Sequence, residues 1–269
     1  MSQELSQAAL ASVRIVLVAP AGPLNVGSVA RVMKNFGLTQ LVLVDSQCDP
    51  LGEEALQMAV HADDVLRAAR RVETIPEALA GCQWAIATTA RQRGFDAPLE
   101  LPEVALPALL SASSTAASSH SHTAILFGPE DRGLSNQELT YAQQFIKIPT
   151  DAGYSALNLA QAVAICCYEL HRASLTPSPP QQNPQRALLN SPLSATQTES
   201  ADLKELEGYY QHLESVLLKV GYLYPHTAAS RMRKLRLLLH RAAPSSREVA
   251  LLRGILRQME WALSDSKKG

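Results

Sequence analysis

The first 173 residues alternate between two hydrophobic patterns. Short apolar runs rich in β-branched residues predict buried parallel strands, whereas apolar residues spaced three or four positions apart predict helices. The predicted strands are 14–19, 41–45, 84–89, 123–128 and 145–149. The predicted helices are 26–36, 63–71, 75–79, 136–142 and 157–173. This alternation predicts an α/β fold in which helices cover both faces of a mostly parallel sheet.

The pattern is interrupted between residues 174 and 201. Pro, Ser, Gln and Asn dominate this stretch, which has too few apolar residues to form a packed core. It therefore predicts a flexible linker. A shorter polar run, residues 111–122, predicts a loop immediately before a strand.

Helical spacing returns after the linker. Apolar residues from Leu203 to Val220 predict one helix, which we expect to end at Gly221, and Pro225 is expected to keep the next residues out of a helix. Two more helices are predicted at 227–241 and 245–263, the second opened by a capping box of Ser245 and Glu248. The predicted organisation is a domain over 1–173, a linker over 174–201 and a three-helix domain over 202–269.

Charge is distributed unevenly between these parts. The whole chain has a net charge of −1, and its 46% apolar and 18% charged residues are ordinary for a globular protein. Residues 202–269 hold 12 Lys and Arg against 7 Asp and Glu, whereas residues 1–201 hold 12 against 18. A basic domain attached to a weakly acidic one favours a polyanionic partner, although a solvated helical surface would have the same charge.

The sequence disfavours several classes of protein. The four cysteines lack metal-ligand spacing, so reduced thiols and no metal site are expected. The first residues do not resemble a signal peptide, and no apolar run reaches 18 residues, so we expect a cytoplasmic protein without a membrane span. Neither GxGxxG after the first strand nor GxxxxGK[ST] is present, which disfavours dinucleotide-dependent redox chemistry and P-loop phosphoryl transfer.

The segment after the first predicted strand reads PAGPLNVGSVARVMKNFGL. Asn25 is a suitable N-cap for a helix that begins at Val26. Gly27, Arg31 and Lys34 lie on the helical face opposite the apolar positions. Because a glycine in the first turn weakens a helix, Gly27 indicates the close approach of a ligand or of a partner helix.

Two further segments follow predicted strands. LFGPEDRGLS, residues 126–135, places Gly128 and Glu130 in a tight loop at the carboxyl end of a strand, where α/β proteins bind ligands. IPTDAGYSALNLAQAVAI, residues 148–165, leads from a proline-containing loop through Ser155 into a helix. Each segment alone is a weak or moderate signal, and the second could be an ordinary turn.

In this order and spacing, the three segments resemble the SPOUT superfamily of RNA methyltransferases, in its TrmH-like ribose-methylating branch. The resemblance covers residues 14–173. YYQHLES at 209–215 and LRLLLHRAAPSSREVALLRGILRQME at 235–260 are similar to the C-terminal helical domain of the TrmJ family. That family methylates the ribose 2′-hydroxyl of nucleotide 32 in the anticodon loop of tRNA, at cytidine or uridine.

The resemblance implies a fold and a cofactor. The C-terminal part of the α/β domain would thread a loop and form a trefoil knot, and the protein would act as a homodimer. The knotted loops would bind S-adenosylmethionine in a bent conformation. The residues implied in binding the methyl donor are Thr88, Thr89, Ala90, Gly128, Glu130, Ile148, Ser155, Ala156 and Leu157.

The resemblance also implies a catalytic residue, Arg31, which one subunit would contribute to a site completed by the other. Arg31 could be a base or an electrostatic stabiliser, and we favour the second because a guanidinium stays protonated in proteins. The predicted partner is tRNA, and the arginine-rich tail suits contacts with phosphates. The residues predicted to bind RNA are Asn25, Lys34, Arg231, Arg233, Arg236 and Arg241.

Two positions depart from the family pattern. Ala156 replaces a usual serine, and Pro129 stands where TrmJ proteins often carry arginine. Three alternatives stay open. They are a ribosomal RNA ribose methyltransferase of the same branch, a non-catalytic RNA-binding paralogue supported by Ala156, and a doubly wound regulatory domain that would explain Asp45 at a strand end.

Overall fold

The protein forms two compact units, Met1–Gln181 and Gln182–Gly269. A computed structural model of the chain describes residues 2–90, 99–115, 122–151, 153–175 and 200–265. The first unit is an α/β domain and the second is a group of three helices. The boundary between them falls within the stretch 174–201 that the composition predicts as a linker.

The first unit is built on one seven-stranded sheet. Its strands are β1 (Val13–Val18), β2 (Gln40–Val44), β3 (Arg70–Val72), β4 (Cys82–Thr88), β5 (Leu99–Glu100), β6 (His122–Phe127) and β7 (Gln144–Ile146). They lie in the order β3-β2-β1-β6-β4-β7-β5, and neighbouring strands are parallel. The neighbouring residues Ile15 and Val16 of β1 are both fully buried, so both faces of the sheet are covered. The predicted α/β fold is confirmed.

Helices surround this sheet. They are α1 (Ser2–Ala11), α2 (Pro23–Asn35), α3 (Glu53–Ala59), α4 (Asp63–Ala68), α5 (Ile75–Ala78), α6 (Pro102–Thr115), α7 (Asn136–Leu139) and α8 (Leu159–Leu175). Helix α2 packs against α3 and α8, and α6 also packs against α8. One core cluster joins Val26, Val29 and Met33 of α2 to Leu17 of β1 and Val163 of α8. The predicted trefoil knot stays a prediction.

The structure contains elements that the hydrophobic pattern did not predict. These are α1, α3, β3, β5 and α6. Helix α6 extends to Thr115, so the predicted loop over 111–122 is wrong for its first residues. Helix α2 begins at Pro23 rather than Val26, and Gly22 is its N-cap instead of Asn25. Proline suits the first helical position because the amide hydrogen that it lacks would have no partner there.

The second unit contains α9 (Leu203–Lys219), α10 (Pro225–Ala242) and α11 (Ser246–Asp265). Asp202 caps α9 by accepting the amide of Glu205, and the predicted capping box of Ser245 and Glu248 opens α11. The expectation that Pro225 would stay outside a helix is wrong, since it is the first residue of α10. The Ala201 amide donates to Pro244 O at 2.9 Å, which ties the start of this unit to the α10–α11 turn.

A buried ion pair joins the first two helices of this unit. Arg236 of α10 donates two hydrogen bonds to the Glu207 carboxylate of α9, and the Nη2–Oε1 distance is 2.9 Å. The Arg236 guanidinium also lies 4.4 Å above the centre of the Tyr210 ring. The His240 ring packs edge-to-face with Tyr210, with 5.7 Å between centroids, and its pKa is lowered to about 3 by burial and by the charge of Arg236. A neutral histidine therefore packs in this core.

Gly27 provides a test of the packing between α2 and α3. A methyl group at position 27 would overlap the carbonyl oxygen of Ala55 and would lie 2.9 Å from Met58 Cβ, so the two helices would have to separate. We expect Gly27→Ala to lower the free energy of unfolding of the first unit by about 1–3 kcal/mol in urea titrations. Ser28→Ala, the next residue of α2, should change it by less than about 0.5 kcal/mol. An unchanged Gly27→Ala midpoint would contradict the close helix contact.

Candidate active site at the carboxyl ends of the strands

Four adjacent strands bring the three sequence segments to one edge of the sheet. In the order β1-β6-β4-β7, all strands are parallel, so the loops that follow them emerge at the same edge. The loop after β1 leads into α2, the loop after β6 contains Gly128 and Glu130, and the loop after β7 leads into α8. This is the edge where parallel α/β sheets bind ligands.

Glu130 fastens the loop after β6 to the start of α2. Its carboxylate accepts hydrogen bonds from the backbone amides of Ala21 at 3.2 Å and Gly22 at 3.1 Å. It also accepts one from Asn25 Nδ2 at 2.8 Å. Negative charge is favourable at a helix N-terminus, where the first amides point outward. Glu130 therefore caps α2 from 105 residues away in sequence.

Asn25 connects this pair to the third segment. Its side-chain oxygen accepts a hydrogen bond from Asn158 Nδ2 at 2.9 Å. Asn158 in turn caps α8, because its Oδ1 accepts the Ala160 amide while Gln161 Oε1 accepts the Asn158 amide. We call Glu130, Asn25 and Asn158 the loop network. Sequence reasoning did not select Asn158, although an Asn followed three residues later by Gln is a recognisable capping signal.

The loop network changes two predicted roles. Asn25 does not cap α2 through its own side chain, and both polar ends of that side chain have protein partners instead of RNA. Burial acts to raise the pKa of the Glu130 carboxyl, but hydrogen bonds from Asn25 and from backbone amides outweigh it, so the pKa is lowered. Glu130 is thus an ionised carboxylate that holds loops together, and its predicted contact with a methyl donor stays a prediction.

Gly128 is required by its own loop. A Cβ at this position would overlap the backbone of Gly133 and Leu134 and would lie 2.8 Å from Gly133 Cα. The loop is closed by the Gly133 amide, which donates to Pro129 O at 2.9 Å. Gly133 has a φ of +67°, a conformation that favours glycine. The close approach predicted for Gly128 is therefore made by the protein backbone.

The other residues expected to bind a donor lie on the neighbouring loops. The Thr88 hydroxyl donates to Leu126 O at 3.1 Å, and the Thr89 amide donates to Ile146 O at 3.0 Å, so both fix strand ends. Ala90, Ser155 and Ala156 are exposed, whereas Ile148 and Leu157 are half-buried. These loops present peptide groups to solvent around the network, and this is a surface that suits a polar ligand with apolar parts.

Arg31 and Lys34 share the exposed side of α2 but differ in their contacts. Lys34 Nζ donates to Asp64 Oδ1 of α4 at 2.8 Å and to His61 O at 2.7 Å, and its predicted contact with RNA stays a prediction. Arg31 is exposed and has no hydrogen bond or ion pair with any residue that the structure describes. It is therefore the cation on α2 that is available to a bound substrate.

The four arginines that were predicted to bind RNA in the tail fall into different environments. The Arg236 side chain is mostly buried against Glu207 and Tyr210, an arrangement that disfavours its predicted contact with RNA. Arg231 is exposed and lies over the Tyr222 ring, and Arg233 is half-buried. The side chain of Arg241 lies outside the described residues.

The described ranges contain neither a candidate metal site nor a candidate membrane-spanning helix. Within those ranges, no three His, Cys, Asp or Glu side chains are grouped closely enough to hold a metal ion. None of the helices described there combines the length and the apolar character needed to cross a membrane.

The loop network predicts a pH-dependent stability. Glu130→Gln replaces one carboxylate oxygen with an NH2 group, which cannot accept a hydrogen bond from any of the three donors around it. We expect this change to lower the free energy of unfolding by about 1 kcal/mol at pH 7. The pKa of the Glu130 carboxyl is lower in the folded state than in the unfolded state, where it is about 4.3. The stabilisation by the carboxylate is therefore complete above the unfolded pKa and is lost as the pH falls through the folded pKa. In urea unfolding, the difference in free energy of unfolding between the wild type and Glu130→Gln should be smaller near pH 3.5 than at pH 7. The control variant Asp131→Asn should show no comparable change with pH.

Comparison with known proteins shows the family of the chain. The SpoU rRNA Methylase family model matches residues 12–168, and the model of the tRNA methyltransferase TrmJ C-terminal domain matches residues 204–268. The chain is 39% identical over 248 residues to the tRNA (cytidine/uridine/adenosine-2′-O-)-methyltransferase TrmJ of Pseudomonas aeruginosa, covering 92% of this chain and 93% of that protein. It is 38% identical to the tRNA (cytidine/uridine-2′-O-)-methyltransferase TrmJ of Escherichia coli K12, covering 93% and 96%.

A solved structure supports membership of the same family. The crystal structure of TrmJ from Z. mobilis ZM4 superposes with a TM-score of 0.75 at 34% sequence identity, covering 92% of this chain and 98% of that one. The match therefore extends over both units and over nearly the whole of each relative. The resemblance first indicated by the three loop segments is confirmed, and the chain belongs to the SpoU methylase family and, within it, to the TrmJ methyltransferases.

Proposed function

We propose that this protein transfers a methyl group from S-adenosylmethionine to the ribose 2′-hydroxyl of nucleotide 32, a cytidine or uridine in the anticodon loop of tRNA. The observation that carries this proposal is Arg31, an exposed cation on the helix that the loop network anchors. The TrmJ relatives are named for ribose methylation of cytidine and uridine in tRNA, which supports the substrate class. The C-terminal domain match disfavours the ribosomal RNA alternative.

The loops at the sheet edge fit the methyl donor. Thr89 and Ile148 follow the adjacent strands β4 and β7, and residues 153–156 are exposed in the loop before α8, so peptide groups of these loops would be suited to the adenine and amino-acid ends of such a molecule. When bound, the donor would supply a methyl group on a sulfonium sulfur, and the neutral thioether would leave as the new oxygen–carbon bond forms. The proton of the ribose hydroxyl would pass to solvent water. What the protein must add is alignment of the ribose oxygen with that methyl group.

Arg31 serves this step through its charge. Its guanidinium would donate hydrogen bonds to the ribose oxygen as negative charge develops there and to an adjacent phosphate. The loop network sets the position of α2, and so of Arg31, relative to the loops around the donor. Glu130 and Asn25 are thus positioning residues in this proposal.

A homodimer is part of the proposal, with Arg31 of one subunit completing the site of the other. Leu24, Met58 and Tyr168 are large side chains that stay exposed on α2, α3 and α8. Exposed apolar side chains on mutually packed helices are suitable for a subunit interface.

The role of Arg31 predicts a specific pattern of loss. Arg31→Ala should reduce methyl transfer to tRNA by orders of magnitude, while calorimetric binding of S-adenosylhomocysteine changes little. Arg31→Lys should also fail, because lysine keeps the charge but loses the planar fork. Nucleoside mass spectrometry of modified tRNA is the measurement, with Arg67→Ala on α4 as the exposed arginine control. Substantial turnover by the lysine variant would refute this assignment.

The tail arginines predict different effects according to their environment. Joint replacement of Arg231 and Arg233 by alanine should weaken tRNA binding and make the slope of log affinity against log salt shallower by about 1–2. Arg236→Ala should instead destabilise the helical unit by about 3–5 kcal/mol, because it leaves the Glu207 carboxylate buried without its cation. Filter binding across a salt series and thermal unfolding distinguish these effects. An unaltered slope in the double variant would remove the tail arginines from RNA binding.

A further inference from the structure

The turn between α9 and α10 presents two tyrosines to solvent. Tyr222 and Tyr224 are 56% and 55% exposed, although Leu223 between them is only 2% exposed. The amides of Tyr222 and Leu223 both donate to Leu217 O at 3.0 Å, and Gly221 adopts a φ of +77°. Buried Leu223 and these hydrogen bonds hold the turn, so the two rings project from a fixed backbone.

Each ring also has a neighbour that orients it. The Arg231 guanidinium lies 5.4 Å from the centre of the Tyr222 ring and donates to Tyr222 O at 2.7 Å. The Tyr224 ring stacks on His226, with 6.0 Å between centroids and 23° between planes. We call Tyr222, Tyr224, His226 and Arg231 the stacking patch. Its planar groups are already ordered, which lowers the entropic cost of adding another planar group.

The charge around the patch favours a polyanion. No Asp or Glu occurs in the sequence between Val220 and Arg247. In the same stretch, Arg231 and Lys234 are exposed cations and Arg233 is half-buried. An acidic protein segment would match the charge but has no use for two exposed rings. Single-stranded RNA matches both properties, because unpaired bases stack on aromatic and guanidinium planes while phosphates bind cations.

We propose that the stacking patch binds an unpaired nucleotide of the RNA substrate, with the base against the tyrosine rings and the neighbouring phosphate near Arg231. This inference rests on the proposed function only in taking RNA as the substrate. The tail would then hold RNA by two physically different interactions. Phosphate contacts weaken with salt, whereas stacking depends weakly on salt and requires a base.

Two RNA probes separate these interactions. One is an octamer of uridine, whose bases stay unpaired and stack poorly on one another. The other is an abasic octamer with the same number of phosphates. With the full chain, we expect fluorescence anisotropy to show tighter binding of octauridine. Joint replacement Tyr222→Ala and Tyr224→Ala should weaken octauridine binding about tenfold, without changing its salt slope or the affinity for the abasic probe.

Two control variants make the result specific. The double Tyr→Phe variant keeps both rings and should bind octauridine like the wild type. Trp261→Ala removes another exposed aromatic residue of the same unit and should have no effect. Because the tyrosines are exposed and Leu223 is the buried anchor, the variants should keep the wild-type melting temperature. If the double alanine variant is less stable, Tyr224→Ala alone should still show the larger part of the loss on octauridine and none on the abasic probe.

Three outcomes would overturn the inference. They are equal affinity of the wild type for the two probes, equal losses on both probes in the alanine variant, and a Trp261→Ala loss as large as that of the tyrosine variant. Failure of the proposed function gives a different result, because it is measured as the absence of methyl transfer to tRNA by the wild type. A wild type that methylates tRNA without preferring octauridine would refute only the stacking patch.

Discussion

The candidate site depends on one side-chain amide. Asn25 donates to Glu130 and accepts from Asn158, and so it joins loops that follow three different strands. Without these hydrogen bonds the loops would share only the edge of the sheet, whose strands fix where each loop starts but not how it folds back. A connected network of this kind, in which Glu130 and Asn158 are exposed and Asn25 is half-buried, favours one arrangement because each partner satisfies the others. The network thus fixes the first turn of α2 relative to the loops, while packing against α3 and α8 holds the rest of the helix that carries Arg31.

The glycines of the site support the same arrangement. Gly27 lets α3 approach α2, and Gly128 lets the loop after β6 close on Gly133. Both positions are close approaches within the protein, and both set where a ligand could enter. For Gly27 the close approach is that of a partner helix, one of the two possibilities that the sequence indicates, and for Gly128 it is that of the loop's own backbone. In a catalyst that works by alignment, the framework around the ligand is the main contribution of the protein.

The helical unit separates its arginines by burial. Arg236 is used inside the unit, where Glu207 neutralises it and Tyr210 covers it, while Arg231 is left at the surface beside exposed tyrosines. A net charge counted along the chain does not distinguish these cases. The electrostatic field that RNA meets comes from the exposed cations, because a paired and buried arginine contributes little beyond its partner.

The sequence by itself determined the strand and helix alternation, the basic tail, the three loop segments and the exposed position of Arg31. These follow from local periodicity and from short motifs, which act within a few residues. It did not determine elements such as α3 and β5, whose short runs are ordered by packing, nor the roles of Asn25, Gly128 and Arg236. Asn25 meets partners 105 and 133 residues away, and Arg236 meets one 29 residues away. Only the tertiary structure decides such contacts, because a polar side chain bonds to whatever partner the fold brings within reach.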